Sequence, residues 1–138
     1  METRSFQRVP LKKLKSGHYK LSLKINGLKA EFILDTGAST SCMGFESVAN
    51  FILNAEESDV KAAGAGAINM ETKVAMNNEV SIGSVTMRGV HLILFDLNHV
   101  NEALSQVDEQ PIHGILGADL LKQMRAVIDY GRNCFYIR

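Results

Sequence analysis

The sequence predicts an all-β protein with one to three short helices. Several segments alternate apolar and polar residues, glycine-containing turns separate those segments, and few stretches have apolar residues at helical spacing. The chain has 138 residues, 46% of them hydrophobic, which is enough to bury a core. No linker or low-complexity tract divides it, so we expect a single domain over residues 1–138.

Charge and hydropathy argue against several classes of partner. The chain has 15 basic and 15 acidic residues, and a net charge of zero gives no electrostatic case for binding nucleic acid or an anionic membrane. The longest apolar runs, such as residues 90–95, are too short to span a bilayer, and the basic N-terminus lacks the apolar core of a secretory signal. We therefore expect a cytoplasmic protein without nucleic-acid or membrane partners.

The first element is a hairpin over residues 19–34. Apolar and polar residues alternate on both sides of Asn26-Gly27. This dipeptide favours a type I′ turn, because both central residues of that turn need a positive φ. The second strand of the hairpin leads directly into Asp35.

The middle of the chain predicts one helix and more strands. Apolar residues at helical spacing indicate a short helix within residues 45–54. Residues 60–76 have a glycine-rich centre with flanks that suit strands. Residues 79–97 then predict a hairpin that turns near residues 82–84.

The last third alternates short helices and strands. Residues 98–107 predict a helix, and residues 112–124 predict an apolar strand, broken at Gly117, followed by another helix. The C-terminal residues 126–138 predict a final hairpin that turns around residues 130–133.

The cysteines and histidines do not form a recognisable site. Cys42 and Cys134 are far apart and lack a C-x-x-C spacing, so we interpret them as free thiols rather than a disulfide or redox pair. The four histidines lack the i, i+4 spacing that would place two of them on one helical face. We expect neither a metal nor a cofactor.

Asp35-Thr36-Gly37 is the motif that carries the most chemical information. An aspartate and a glycine in this spacing are also common in ordinary turns, so the tripeptide alone is weak. Its context distinguishes it, because an apolar strand precedes it and residues 38–41 are all small. A phosphoaspartate site is disfavoured, since such sites need a second aspartate where this chain has Gly37. The chain also has no G-K-[ST] phosphate loop.

Three segments in this order resemble the retropepsin-like aspartic protease family: FILDTGAS at 32–39, AAGAGAINM at 62–70 and HGILGADLL at 113–121. The resemblance extends from about Tyr19 to the C-terminus. It implies a closed six-stranded acid protease barrel with a flap hairpin. It also implies an aspartic endopeptidase that takes extended polypeptides and needs no cofactor.

The same resemblance implies a role for each motif residue. Asp35 would be catalytic. The loop that carries it would be supported by Thr36, Gly37, Ala38 and Ser39. The flap that binds substrate would be formed by Gly64, Ala65, Gly66 and Ala67. Structural support behind the site would come from Ile115, Leu116 and Gly117, and Asp119 matches a Gly-x-Asp-x-Leu variant of retrotransposon-type members.

The expected chemistry needs a second carboxylate. Aspartic proteases activate water with two carboxylates that share one proton, and this chain has one Asp-Thr-Gly. Asp129 is interpreted as a turn residue, because Tyr130 stands where a small hydroxyl residue is needed. We therefore expect a C2 homodimer in which the two copies of Asp35 meet on the axis.

The dimer interface is expected to differ from that of retroviral members. Those proteins often carry a charge pair at the positions of Ser39 and Ala118, which this chain lacks, and its C-terminal hairpin is the candidate replacement. The chain begins at Met1 without a flanking polyprotein segment, which favours a stand-alone protease. The alternative is a catalytically weak or inactive dimer of the same fold that binds peptides or partner proteins.

Overall fold

The computed structural model describes residues 6–57 and 72–138. The described strands are β1 (Gln7–Pro10), β2 (Lys12–Lys13), β3 (Tyr19–Ile25), β4 (Leu28–Leu34), β5 (Cys42–Gly44), β6 (Ala55–Glu57), β7 (Lys73–Ile82), β8 (Val85–Phe95), β9 (Gly114–Leu116), β10 (Val127–Asp129) and β11 (Cys134–Ile137). The described helices are α1 (Ser47–Asn50), α2 (Asn98–Ser105), α3 (Ala118–Gln123) and a 3-10 turn (Tyr130–Arg132).

Six of these strands close into a barrel. Hydrogen-bonded neighbours follow the order β3-β4-β9-β5-β8-β7, and β7 pairs in turn with β3 through Lys24↔Ser81 and Ile25↔Val80. Strands β2 and β6 extend the sheet beyond this ring. The predicted all-β class, with a closed six-stranded barrel and a few short helices, is confirmed.

The β3–β4 hairpin has the turn that its sequence predicts. Asn26 and Gly27 have φ values of 52° and 83°, so both central residues are in the left-handed region that a type I′ turn requires. The alternation along β3 and the first part of β4 separates a buried face from an outer one, and at the end of β4 Ile33 is buried as well. The buried face consists of Leu21, Leu23, Ile25, Ala30, Phe32 and Leu34. Each large apolar side chain buried there contributes roughly 1.5–3 kcal/mol to folding.

Strand β9 positions the end of β4. It pairs in parallel with β4, through Ile33↔Ile115 and Leu34↔Leu116, and antiparallel with β5 on its other side. Gly114 begins β9, and a Cβ at this position would lie 2.6 Å from the Phe32 ring. Only glycine therefore lets β9 pack this closely between its two neighbours.

The chain termini form a separate three-stranded sheet in the order β1-β11-β10. Strand β11 lies in the middle and sends Phe135 and Ile137 into the main core, where both are fully buried. The predicted C-terminal hairpin is confirmed, with the turn around Tyr130–Arg132 between β10 and β11.

Helix α1 is shorter than residues 45–54 suggest, because it covers only Ser47–Asn50. Ile52 has a φ of 57° and is 74% exposed, while its neighbours Phe51 and Leu53 are buried. A left-handed residue cannot continue an α-helix, so the apolar spacing here reflects packing of an irregular segment. Within residues 6–57 and 72–138, none of the helices has the length and apolar content needed to cross a membrane.

The predicted flap tip, Gly64–Ala67, lies outside the described residues. The described strands on either side of this segment, β6 and β7, pair antiparallel from Ala55↔Ala75 to Glu57↔Lys73.

Candidate active site

The Asp35 loop connects β4 to β5. The Asp35 N–H donates to the Leu116 carbonyl at 2.9 Å, which ties the start of the loop to the end of β9. The Gly37 N–H donates to Asp35 Oδ1 at 2.9 Å and so fixes the orientation of the carboxylate. A Cβ on Gly37 would lie 3.2 Å from this same oxygen. The glycine therefore allows the contact without crowding.

The carboxylate is presented at the surface of the single chain. Asp35, Thr36, Gly37 and Ser39 are exposed, and Ala38 is half-buried. Within the part of the chain that the structure describes, the Thr36 hydroxyl has no hydrogen-bond partner. The Asp35 carboxylate is therefore fixed but exposed, and it lies next to the Thr36 hydroxyl. Both groups can bind a second molecule.

A buried hydrogen-bond network holds the loop from behind. Ser41 is 0% exposed, and its N–H and O–H both donate to Asp119 Oδ1, at 2.9 and 2.7 Å. The Ser41 hydroxyl in turn accepts from the Gly117 N–H at 2.8 Å. One hydroxyl therefore uses both its donor and its acceptor capacity to join β5, the end of β9 and the first turn of α3.

Gly117 lets the loop pack directly on the end of β9. The Ala118 N–H donates to the Ala38 carbonyl at 2.7 Å, so the two backbones are in contact. A Cβ on Gly117 would lie 2.7 Å from the Ala38 carbonyl oxygen and 3.0 Å from the Thr40 carbonyl carbon. These distances are shorter than van der Waals contact, and no side chain fits here without moving the loop.

The structure brings together most of the described residues that the sequence singled out. Strand β9 lies beside β4, with Leu116 fully buried and Ile115 half-buried. Asp119 was noted as part of a motif, but its partner Ser41 was not predicted, because 78 residues separate the two in sequence. The only local sequence signal for Ser41 was its position as a small hydroxyl residue directly before the apolar strand β5.

Asp129 is placed as a turn residue. Its Oδ1 accepts from the Arg132 N–H at 3.2 Å and its Oδ2 lies 3.5 Å from the Arg132 guanidinium. The side chain thus closes the 3-10 turn between β10 and β11, as its sequence context suggested.

The thiol nearest to the site is not a nucleophile. Cys42 is buried, and burial raises the pKa of its thiol to about 12, with the Asp119 and Asp35 carboxylates acting in the same direction. The thiol therefore stays protonated at neutral pH. Cys42 and Cys134 are both free, as predicted. Across residues 6–57 and 72–138, no group of three or more His, Cys, Asp or Glu side chains is arranged to hold a metal ion.

His113 is the residue directly before β9, and its side chain links this strand to β4. Its Nδ1 accepts from the Glu31 N–H at 2.9 Å, and its ring packs edge-on against Phe51 with centroids 5.1 Å apart. Burial lowers the pKa of His113 from its ordinary value of 6.5, while the Glu31 carboxylate acts in the opposite direction. The neutral ring is the form that can accept this hydrogen bond.

We expect the stability of the fold to decrease as the pH falls below about 6.5. The unfolded chain takes up a proton on His113 at a higher pH than the folded chain, so protons favour unfolding in this window. His113→Asn keeps an acceptor near the Nδ1 position but does not titrate, and it should flatten the pH dependence of urea unfolding between pH 7 and pH 5. His99→Asn, at an exposed position on α2, is the control and should leave the slope unchanged. Equal slopes in all three proteins would contradict the role given to His113.

Comparison with known proteins gives a family match and several structures of similar fold. The family model described as aspartyl protease matches residues 21–120, which include the Asp35 loop, β9 and the start of α3. No significant match is found among curated protein sequences.

Several solved structures have a similar fold. A retropepsin-like aspartic protease from Rickettsia conorii superposes with a TM-score of 0.62 and 17% identity, covering 96% of this chain and 90% of that chain. The EIAV protease complexed with the inhibitor HBY-793 gives a TM-score of 0.60 and 20% identity, over 80% and 90% of the two chains. The retroviral protease-like domain of Ddi1 from Leishmania major gives 0.57 and 18%, over 86% of each. At these identities the likeness concerns the fold, which is retropepsin-like.

Proposed function

Because the chain belongs to the aspartyl protease family, we propose that it is an aspartic endopeptidase whose active site contains Asp35 from each of two subunits. The observation that carries the proposal is the geometry of the Asp35 loop. The carboxylate is exposed at the end of β4 and oriented by the Gly37 N–H, while β9 and the Ser41–Asp119 network hold the loop from behind.

The use of Asp119 and Asp129 in the described part of the chain supports the proposal of a second subunit. Asp119 accepts two hydrogen bonds from Ser41, and Asp129 closes a turn with Arg132. Neither is available to pair with Asp35. A second copy would supply the partner by two-fold symmetry, and it would also cover the exposed Thr36.

In the proposed reaction, the two Asp35 carboxylates lie roughly 3 Å apart and share one proton, since two charges at that distance repel strongly. The ionised carboxylate removes a proton from a water molecule, which attacks the carbonyl carbon of the scissile peptide bond. The protonated carboxylate hydrogen-bonds to the carbonyl oxygen and stabilises the negative charge that develops there. The tetrahedral intermediate collapses when the leaving amine takes up the proton that the carboxylate removed from water, and no covalent enzyme intermediate forms.

The proposed substrate is a polypeptide in extended conformation. It would lie between the Asp35 loops and the flap that we assign to Gly64, Ala65, Gly66 and Ala67. Glycines in such a flap let the backbone approach the substrate closely, and a closed flap excludes water. We infer that residues 1–138 form one domain that carries this half-site.

Cleavage of an unfolded protein at several enzyme concentrations tests this proposal. We expect cleavage whose rate per subunit falls upon dilution, because monomers carry only half of the site. Well below the dimer dissociation constant, a tenfold dilution should lower the rate per subunit by about tenfold. A rate per subunit that stays constant where size-exclusion chromatography shows only monomer would contradict the shared site.

Cleavage, polypeptide binding and oligomeric state measured together distinguish the alternative function. A stable dimer that binds unfolded polypeptides at acidic and neutral pH without cleaving them would be a peptide-binding module with the same fold.

A further inference from the structure

The net charge of zero conceals a strong segregation of charge along the chain. Residues 3–30 contain eight of the 15 basic residues and no aspartate or glutamate. Residues 31–138 contain 14 acidic and seven basic residues. The first strands of the fold therefore carry almost all of the uncompensated positive charge.

The strand register gathers four of these lysines into two pairs. Lys12 on β2 lies directly opposite Lys20 on β3, and Lys24 on β3 lies directly opposite Lys29 on β4. Because alternate residues of a strand share a face, Lys20 and Lys24 project to the same side, away from the buried residues of β3. We call the surface formed by these four lysines the basic face.

Like charges directly opposite each other on neighbouring strands destabilise a sheet. Lysines on edge strands prevent unwanted strand pairing, which accounts for Lys12 on β2. It does not account for Lys24 and Lys29, because β3 and β4 are interior strands of the barrel. The repulsion between Lys24 and Lys29 therefore destabilises the sheet without protecting an edge.

Acidic side chains of the chain itself compensate little of this charge. Within the two described ranges, Lys12, Lys20 and Lys24 form no ion pair, and Lys29 lies 3.8 Å from Glu31. Glu31 also accepts from the Ser22 hydroxyl at 2.7 Å. The other nearby carboxylate, Glu79, is paired with Arg88 at 3.4 Å.

The basic face is shaped as a shallow trough along β3. One groove is lined by Lys12, Lys20, Ser22 and Glu31, and the next by Ser22, Lys24 and Lys29, so the two grooves meet at Ser22. Lys20 and Lys24 are four positions apart in β3, a distance of about 13 Å along the strand. An extended peptide has the same spacing between side chains four residues apart.

We propose that the basic face binds an acidic segment of an extended polypeptide, with carboxylates four residues apart on the two lysine pairs. Glu31 lies between the pairs and disfavours a continuous polyanion such as nucleic acid, and no aromatic side chain lies on the face to stack on bases. In the bound peptide, a neutral polar side chain between the two carboxylates would face Ser22. Apolar side chains that would enter a bilayer are likewise missing from between the pairs, which favours a peptide over a membrane surface.

The strands that carry this face also lead to the candidate active site, although the intervening Ile33 is buried. Lys20 pairs with Lys12 on one side and with Ile33 on the other, and Asp35 follows two residues after Ile33. An acidic segment bound here would belong to the polypeptide to be cleaved, an identification that rests on the proposed function. The binding itself does not depend on cleavage.

Fluorescence anisotropy with a labelled peptide tests the proposal. The peptide has two glutamates four residues apart in a serine and threonine background, and a second peptide has glutamines instead. The full chain carries Asp35→Asn, so no turnover occurs. We expect the glutamate peptide to bind, the glutamine peptide not to bind, and the affinity to fall as salt is added. Lys20→Gln/Lys24→Gln should weaken binding by about tenfold or more, which corresponds to the loss of 1.4 kcal/mol or more.

Lys122→Gln/Arg125→Gln is the matched control, since it removes the same charge from an exposed surface at α3 and should bind as the parent does. The lysine variant should melt at the same temperature or higher, because it removes like-charge repulsion. The single variant Lys24→Gln gives a second measurement in the same direction. An equal loss of affinity for the glutamate peptide in the lysine variant and in the control would overturn the proposal. Binding to phosphatidylglycerol vesicles or single-stranded DNA that is tighter than binding to this peptide would also overturn it. Peptide binding without any cleavage by the parent chain would instead refute only the proposed function.

Discussion

Replacement of Asp35 by asparagine is expected to abolish cleavage of polypeptides while leaving the barrel folded. The asparagine keeps an oxygen that can accept from the Gly37 N–H, so the loop retains its main contact. It cannot take a proton from water, and in a homodimer the substitution removes both carboxylates at once. We expect the rate to fall by at least about 10³-fold, measured as initial rates on an unfolded protein substrate.

Asp129→Asn provides the matched control, because it makes the same chemical change at a turn carboxylate. It retains an acceptor for the Arg132 N–H and should cleave at close to the parental rate. Circular dichroism would verify that both variants are folded. Undiminished cleavage by Asp35→Asn would mean that the catalytic group lies elsewhere.

Substitution of Gly117 by alanine is expected to damage stability and activity together. The added methyl would lie 2.7 Å from the Ala38 carbonyl oxygen, which is part of the backbone and cannot rotate away. Relief of this clash requires the Asp35 loop to move from β9 or the Gly117 N–H to leave Ser41. We expect the free energy of unfolding to fall by about 1–3 kcal/mol, as for other overpacked positions.

Chemical denaturation gives the stability of this variant, and the cleavage assay gives its activity at a temperature where it remains folded. A further decrease in cleavage there would show that the loop has moved. Gly131→Ala is the control, because a Cβ at that exposed turn would lie 3.5 Å from Asp129 Oδ1, which is ordinary contact. If Gly117→Ala were as stable and as active as Gly131→Ala, the close packing of the loop on β9 would not be required.

The features that could be predicted from sequence depend on residues close together in the chain. The β3–β4 turn is one, because Asn26 and Gly27 adopt positive φ by their own conformational preferences. The buried strand that ends at Asp35 is another, since three consecutive apolar residues, Phe32, Ile33 and Leu34, directly precede the motif and all are buried. The family resemblance implied that residues 115–117 lie behind the Asp35 loop, and in the structure β9 pairs in parallel with the strand that carries Asp35.

Helix α1 shows where local reasoning was insufficient. The apolar spacing in residues 45–54 is typical of a helix, yet Phe51 and Leu53 are buried from an irregular segment around the left-handed Ile52. Tertiary packing overrode the periodicity, because burying two large side chains outweighs the preference of one residue.

By itself the sequence determined the strand that carries Asp35, the turn that precedes this strand and the glycine that orients the carboxylate, since each involves neighbouring residues. Only the tertiary structure decided that Ser41 would support the loop through Asp119, 78 residues away, and that β3 would pair with β7 to close the barrel. The physical reason is that such contacts depend on strand register and on the closure of the barrel. The sequence shows that basic residues concentrate in residues 3–30, but the strand register is what places Lys12, Lys20, Lys24 and Lys29 on one face.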